Sequence, residues 1–406
     1  MEDSLKDWQI VSIIDICEIG RGRVISQVEI ATNLGNYPVF SSQSQNNGEL
    51  GRINTYDFEG NYITWTTDGA YAGSVFFRTG KFNCTNVCGT LSKKIGQEVN
   101  LKFLAYKLST IAKNHVSYVG NPKLMNGVMG KIQLQIPRNF KEQNKIAEIL
   151  TNIDKAISQT EVIIEKQKRI KTGLMQDLLT NGIDDKGNIR TEKTHQYKDS
   201  PLGRIPKEWE VISIGELAEL KSGGTPSRQN LSLWNGTIPW VKTGEVNYSE
   251  ITKTDENITE KGLKYSSTIL FPVGTILMAL YGQGKTRGRV AKLRIEASTN
   301  QACLGFLNLK KVTIDFLYNT LSNEYLRLRD LSNDGAQKNL SGNLLKKYLL
   351  KIPSNKDEQL IIDSIFYKIE SSIYNQGIEL SKLRSIKTGL MQDLLSGKKR
   401  VTHLIN

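Results

Sequence analysis

The string Gly282-Gln283-Gly284-Lys285-Thr286 is where the chain comes nearest to a chemical motif, because glycines beside a lysine can cradle phosphate. A nucleotide-binding loop of that type also needs a glycine five positions before the second one, and Ala279 stands there. It needs a helix behind it too, whereas TRGRVAKLRI reads as a strand. The corresponding stretch in the first half of the chain, Thr67-Asp68-Gly69-Ala70-Tyr71-Ala72-Gly73, has no lysine. A glycine loop carrying Lys285, Arg287 and Arg289 suits close contact with a nucleic-acid backbone instead. Cys84 and Cys88 form one pair without a second, and His115, His195 and His403 are the only histidines, so a zinc site is not expected. The chain carries no Gly-x-Ser-x-Gly elbow and no His-Glu-x-x-His. It also lacks the Asp/Asn-Pro-Pro-aromatic stretch that amino-group methyltransferases use. These residues describe a binding protein rather than a catalyst.

The remaining candidates are polar and basic loops that occur in two sets. The first set holds Arg21 and Arg23, then Ser42, Gln43 and Gln45 of SSQSQNN, then Thr67 and Tyr71, then Asn121 and Lys123. The second holds Thr225, Ser227 and Arg228, then Lys242 and Thr243, then Tyr281, Gln283, Lys285 and Arg287, and last Gln337 and Lys338. Amide side chains can read adenine edges and cationic ones guanine, while hydroxyls and lysines hold phosphates. Trp8, Trp209 and Trp240 read as core anchors with hydrogen-bonded indoles.

Composition agrees with a polyanionic partner. The 406 residues carry Lys+Arg 54 against Asp+Glu 41, a formal net charge of +13. Residues 1–138 hold 14 basic and 11 acidic side chains, and residues 206–353 hold 20 and 14, so most of the surplus lies in two blocks. No apolar stretch is long enough to span a membrane, and the start, MEDSLKDWQI, is acidic and polar, which implies a cytoplasmic protein. Four cysteines do not make a disulfide framework.

The chain is written twice. IKTGLMQDLL occurs at 170–179 and again at 386–395, an offset of 216. The same offset relates LQIPRNFKEQNKIAEILTNID (134–154) to LKIPSNKDEQLIIDSIFYKIE (350–370). Upstream the offset is 201, with Trp8 over Trp209 and Tyr37-Pro38-Val39 over Ile238-Pro239-Trp240. Between them, Asn83-Cys84-Thr85-Asn86 is matched to Ala297-Ser298-Thr299-Asn300. The ends of each repeat are close copies and the interiors share little but spacing. A drifted tandem duplication is one account; a common frame carrying two different recognition surfaces is the better one.

Each repeat closes in a long helix. Ile146, Leu150, Ile153, Ile157, Thr160, Ile164, Gln167, Lys171, Leu174 and Leu178 step by 4 and 3 alternately, and Ile362 to Leu394 repeat the pattern. That period is a coiled-coil seam, and two matched helices of about 60 Å most economically pair antiparallel about a pseudo-two-fold axis. Gly173 and Gly389 lie inside the helices, where they suit a close helix–helix approach. The blocks read as α+β, with short strands such as NYITWTT, SVFFRTG and TILMALYG and one helix each near Lys102–Asn114 and Asp315–Leu331. The fold expected is two similar α+β domains separated by two long helices. The domains are 1–138 and 206–353, the helices 139–180 and 354–396, with a linker 181–205 and a tail 397–406.

SPLGRIPKEWEV (200–211), GAQKNLSG (335–342), the IP…EQ…I run at 352–362 and the KTGLMQDLL ending resemble the specificity subunit of type I restriction–modification systems over essentially the whole chain. The first repeat departs from that pattern: KDWQIV lacks the PLGxIP lead, and Val119–Leu124 stands where the GAQKNL loop falls. The resemblance implies a non-catalytic subunit whose two target-recognition domains read a bipartite, asymmetric sequence in double-stranded DNA. It implies two modification subunits, which bring S-adenosylmethionine for adenine methylation, and restriction subunits that use ATP and magnesium. No cofactor is implied on this chain. A coiled-coil scaffold whose basic domains bind RNA or protein is the alternative from the residues alone.

Overall fold

The computed structural model describes residues 6–43, 45–282, 285–331 and 340–405. The chain forms two compact units: the first runs to Val162 and resumes at Gly377, and the second is Ile163–Gln376.

In the first unit, β1 (Trp8–Ser12) pairs antiparallel with the strand Gln133–Pro137, so the two ends of the recognition block are clamped together, Trp8 opposite Pro137. Between them, β2 (Cys17–Arg21), Cys88–Lys93, Tyr62–Thr66 and Val75–Arg78 make one four-stranded sheet. A second contains β3 (Leu34–Phe40), which pairs in parallel with β4 (Lys81–Cys84). The helix α1 (Leu101–Ile111) starts at Asn100, whose side chain accepts the Phe103 amide, and buries Phe103, Leu104 and Leu108 against the first sheet. The same core includes Ile146 and Leu150 at the start of one long helix and Leu394 and Leu395 at the end of the other. Each such side chain buried contributes about 1.5–3 kcal/mol, so block and helices fold as one body.

The second unit repeats the clamp residue for residue, with Trp209–Ser213 against Leu349–Pro353 and Trp209 opposite Pro353. Its strands form a five-stranded and a three-stranded sheet, and its helix Ile314–Asn323 is capped by Thr313 and followed by Tyr325–Asp330. The segment expected to be a linker contributes buried Ile183, Arg190 and Ile205 to this unit.

Two long helices follow the clamps: α2 (Phe140–Leu178) and α3 (Lys356–Leu395). The side chains of Asn139 and Asn355 accept the amides of Lys141 and Asp357 at their starts, and Gly182 and Gly397, at φ +64° and +76°, turn the chain off their ends. All ten seam positions of each helix are buried or half-buried. In the first unit Asp154 and Glu161 of α2 pair with Lys387 and Arg384 of α3 at 2.7 Å each. In the second, Lys171 of α2 meets Glu370 of α3 at 2.6 Å, and Gln167 meets Ser372. Residue numbers rise on one helix as they fall on the other, so the pairing is antiparallel in both units. Lys171–Glu370 and Lys387–Asp154 are the same pair seen twice, at the offset of 216.

The EQ of each helix start has a specific task. The fully buried Gln143 donates to the Pro137 carbonyl and accepts the Asn100 amide, tying clamp, helix and recognition block together. Gln359 does the same between Pro353 and Thr313. The neighbouring glutamates bind the arginine that follows the other long helix: Glu142 takes Arg400, and Glu358 takes Arg190. Trp209 Nε1 donates to Glu358 and Trp240 Nε1 to the Gly224 carbonyl, as expected of anchors. Trp8 departs from that expectation: its buried Nε1 has no partner among the described residues.

Gly173 and Gly389 correct the sequence reading. A Cβ built on either meets nothing within 4 Å among the described residues, so they mark no close approach. Gly173→Ala and Gly389→Ala should each stabilise the chain by roughly 1 kcal/mol, seen as a rise in melting temperature. A fall would show that both positions are packed against something.

Candidate nucleic-acid interface

In each unit one short turn gathers the polar loops. In the first it is Thr85–Val87, between β4 and the strand that begins at Cys88. The amides of Gly22 and Arg23 donate to the carbonyls of Cys88 and Cys84, at 3.0 and 3.1 Å. Thr85 donates to Phe40, and Thr67 donates to Val87. Leu124 in turn donates to the Thr67 carbonyl. The loops after β2, after β3 and after Thr66, with the 117–124 loop, are thereby assembled at one place.

The second unit repeats this frame with different side chains. Gly223 and Gly224 donate to Cys303 and Thr299, Asn300 to Val241, Leu280 to Ala302, and Leu340 to Leu280. These bonds correct the sequence alignment by one residue: Cys84 corresponds to Thr299 and Cys88 to Cys303, an offset of 215. Parallel pairing decides the register, Val39 with Asn83 in one unit and Trp240 with Ser298 in the other. The bonds also place Leu124 where Leu340, the last residue of GAQKNL, lies, despite the different sequence before it. Gly22 and Gly223 are required at the crossing, since a Cβ would fall 2.2 and 2.1 Å from the carbonyl oxygens of Cys84 and Thr299.

The first set of candidates meets around Arg21. Its Nε donates to the Asn86 carbonyl at 2.5 Å, and its Nη2 reaches Thr67 and Asp68 at 3.2 Å each. Thr67 is fully buried, so it presents no surface and acts by holding Asp68 and Arg21. Tyr71, Asn121 and Lys123 are exposed, with Lys123 held by backbone pairing to Ser117 and Asp68. Arg23 is occupied: it binds Glu29 at 2.7 Å and Asp57 at 3.0 Å, and the Glu29 hydrogen bond raises its pKa. Ser42 and Gln43 are half-buried, Gln43 donating to the Glu49 carbonyl; the Gln45 side chain lies outside the described residues.

In the second set, Thr225 donates to Gln301 at 2.5 Å, and Thr243 exchanges hydrogen bonds with Asn300. Ser227 is exposed and its carbonyl accepts Trp234 Nε1. Arg228 stacks 3.7 Å from the Trp234 ring centroid and pairs with Glu256 at 2.6 Å. Lys242 pairs with Asp255 at 3.2 Å and Glu256 at 3.5 Å; the Asp255 hydrogen bond raises its pKa, and Arg228 lowers that of Glu256. Tyr281 and Lys285 are exposed, and the Lys285 carbonyl accepts the Tyr325 hydroxyl. Arg287 donates to the Arg329 carbonyl, while its buried Nε has no partner among the described residues. Residues 285–288 turn into the strand Val290–Leu293 and not into a helix, which removes the helix N-terminus a nucleotide loop would use. Gln283, Gln337 and Lys338 lie outside the described residues.

Asn86 and Gln301 at the tips of the turns, and the carboxylates Asp57, Asp68, Asp255 and Glu256, were not singled out by sequence. The repeat points to Asn86 and Gln301 once the register is right. The carboxylates carry no local pattern. Among the described residues no group of His, Cys, Asp and Glu could hold a metal ion, and no helix is long and apolar enough to cross a membrane.

A family model described as the type I restriction modification DNA specificity domain matches residues 5–169 and again 206–381. The chain belongs to the type I restriction–modification DNA specificity family. A type I specificity subunit of Mycoplasma pneumoniae is similar to the chain at 32% identity over 378 residues, covering 91% of this chain and 93% of the relative. A second M. pneumoniae relative, described as the N-terminus of such a subunit, is 54% identical over 139 residues, 34% of this chain and 73% of its own length. In fold, the crystal structure of the type I S subunit from M. genitalium is similar with a TM-score of 0.65 and 17% identity, covering 95% of this chain and 96% of that one. The specificity subunit is therefore the DNA-recognition component of its system, with the duplicated clamp and paired helices as its frame.

Proposed function

We propose that each unit of this specificity subunit reads one half of a bipartite, asymmetric duplex target, using the loops gathered at its turn. What supports this is that one set of backbone hydrogen bonds recurs beneath two unlike sets of side chains. A constant frame under variable, basic, amide-rich loops is what two different readings by one protein require. The helices would act as the ruler between half-sites. The decapeptide repeated in both helices leaves Ile170 and Ile386 exposed at equivalent places, matched apolar contacts for two copies of a modification subunit. Those partners would supply S-adenosylmethionine and methylate adenine, and restriction subunits would add ATP- and magnesium-dependent cleavage. The test is exchange of residues 1–133 for the corresponding block of a relative, read by methylome sequencing of cells that express the chain with its modification subunit. One half of the methylated sequence should change. A change in both halves, or in neither, would sink the reading.

A further inference from the structure

We propose that the outer edge of the strand Val75–Arg78 takes an extended acidic segment of a partner protein, which adds to the first unit as a fifth strand.

The two recognition sheets differ in one respect. In the second unit the sheet runs Glu219–Ser222, Cys303–Leu307, Ile276–Ala279, Val290–Leu293 and Glu250–Ile251. In the first it runs β2, Cys88–Lys93, Tyr62–Thr66 and Val75–Arg78, and ends there. Val75 corresponds to Val290 at the offset of 215, because Trp65 faces Val75 and Gly89 as Met278 faces Val290 and Leu304. Val75–Arg78 is therefore an edge where its counterpart is covered, and no strand pairs with its far side among the described residues.

The covering strand of the second unit shows what the position accepts. It lies parallel to Val290–Leu293. Tyr248 donates to the Val290 carbonyl, Lys292 to that of Ser249 and Arg294 to that of Ile251, at 2.8, 3.0 and 2.9 Å. Strand alternation turns the same groups outward in the first unit: the Val75 carbonyl and the amides of Phe77 and Thr79. No backbone bond outside their own sheet satisfies them among the described residues. Val75, Phe76 and Phe77 are only half-buried, an apolar edge of the kind that pairs with another chain. Beside it lies a cavity of about 690 Å³, lined in part by Phe76, Phe77, Lys102, Lys155 and Met391. In the second unit the matching cavity is about 450 Å³, and Tyr248 and Glu250 of the covering segment line it.

Charge names the occupant. In the second unit Lys292 on the strand pairs with Asp315 on the helix at 2.6 Å, and Glu250 adds to Lys292 and Arg294. In the first, Phe77 stands in place of Lys292, and Lys102 in place of Asp315 when the helices are counted from their caps, Asn100 and Thr313. Lys102 Nζ lies 5.6 Å from the Phe77 ring centroid. Lys102 and Lys155 pair with no carboxylate among the described residues, and Asp154 is taken by Lys387 and Tyr106. Edge pairing with a second copy of this chain would bring these like charges together, whereas a segment carrying carboxylates meets them with opposite charge.

A peptide of the covering segment itself, Val246–Thr252 with blocked ends, is titrated onto the full-length chain by fluorescence anisotropy, and backbone hydrogen exchange locates it. The result expected is saturable binding, with exchange slowed at residues 75–79 and unchanged at 290–294. N-methylation of Tyr248 in the peptide keeps the charge, removes one strand hydrogen bond, and should weaken binding roughly fivefold. Thr79→Pro, at an exposed residue whose amide faces outward, should do the same without lowering the melting temperature. Lys102→Glu with Lys155→Glu should lose the peptide and bind instead its Glu250→Lys version. The proposal is overturned if binding does not saturate by about 1 mM peptide. It is overturned equally if the methylated peptide binds as tightly, if exchange slows elsewhere, or if the charge exchange leaves the preference unchanged. A chain that ignores the peptide and dimerises through residues 75–79 overturns it in favour of a second copy.

Discussion

Replacing Glu358 by alanine is expected to destabilise the second unit by about 3–5 kcal/mol, the cost of leaving a buried cation without its partner. Its carboxylate accepts Arg190 Nη1 at 2.5 Å and Nη2 at 3.1 Å, Trp209 Nε1 at 3.1 Å, and the Ile183 amide at 3.0 Å. Arg190 keeps 7% of its side chain exposed, and its other carboxylate, Glu208, is 3.8 Å away and largely in water. Removing Glu358 therefore orphans a guanidinium, an indole and a backbone amide at once. Glu142→Ala removes the counterpart in the first unit but should cost less. Arg400 is 18% exposed, lies 3.7 Å from Asp7, and can be hydrated when its partner goes. Denaturant unfolding followed by tryptophan fluorescence, with Trp8 and Trp65 in the first unit and Trp209, Trp234 and Trp240 in the second, compares the two cases. Equal losses from the two variants would contradict the burial argument. The double replacement Arg190→Met with Glu358→Leu should recover most of the loss, because an apolar pair of similar volume carries no desolvation penalty.

The features legible in the sequence are those with local periodicity or exact repetition. The 4,3 spacing of Ile146 to Leu178 is a property of one helix face, so it predicts the seam without knowledge of the rest of the fold. The two copies of IKTGLMQDLL carry the antiparallel pairing, since only that arrangement lets Lys171–Glu370 and Lys387–Asp154 form as equivalents. The one-residue error at Thr85 has a different origin. Register there is fixed by a parallel strand more than forty positions away, and the four-residue match Asn83–Asn86 carries too little identity to resolve one step. Gly173 and Gly389 misled because glycine inside a helix means close packing only where something packs, and there the helices face open space. The counterions Asp57 and Glu256 could not be seen because ion pairs across loops leave no spacing to find. That omission matters most for function, because it separates cations already neutralised from those available to phosphate.

Arg21→Ala, on that account, should weaken binding to the first half-site by about 1–3 kcal/mol, relax preference at one base pair, and lower the salt slope by roughly one. Arg21 is pre-positioned: a backbone carbonyl holds Nε, and Thr67 and Asp68 hold Nη2, so little entropy remains to be lost when it meets a base or phosphate. Arg21→Lys should not restore binding, since a lysine cannot keep the Asn86 and Asp68 contacts together with a forked contact to DNA. Lys242→Ala should have a smaller effect on the second half-site, though the residue carries the same charge. To meet phosphate, Lys242 must leave two carboxylates, Asp255 and Glu256, where Arg21 has only Asp68 to leave, so more of what Lys242 gains from DNA is offset by what it gives up. Titrations at several salt concentrations, with each half-site varied separately, test the contrast. If Lys242→Ala costs as much as Arg21→Ala, the intramolecular pairs are irrelevant to binding and the count of basic residues alone governs affinity.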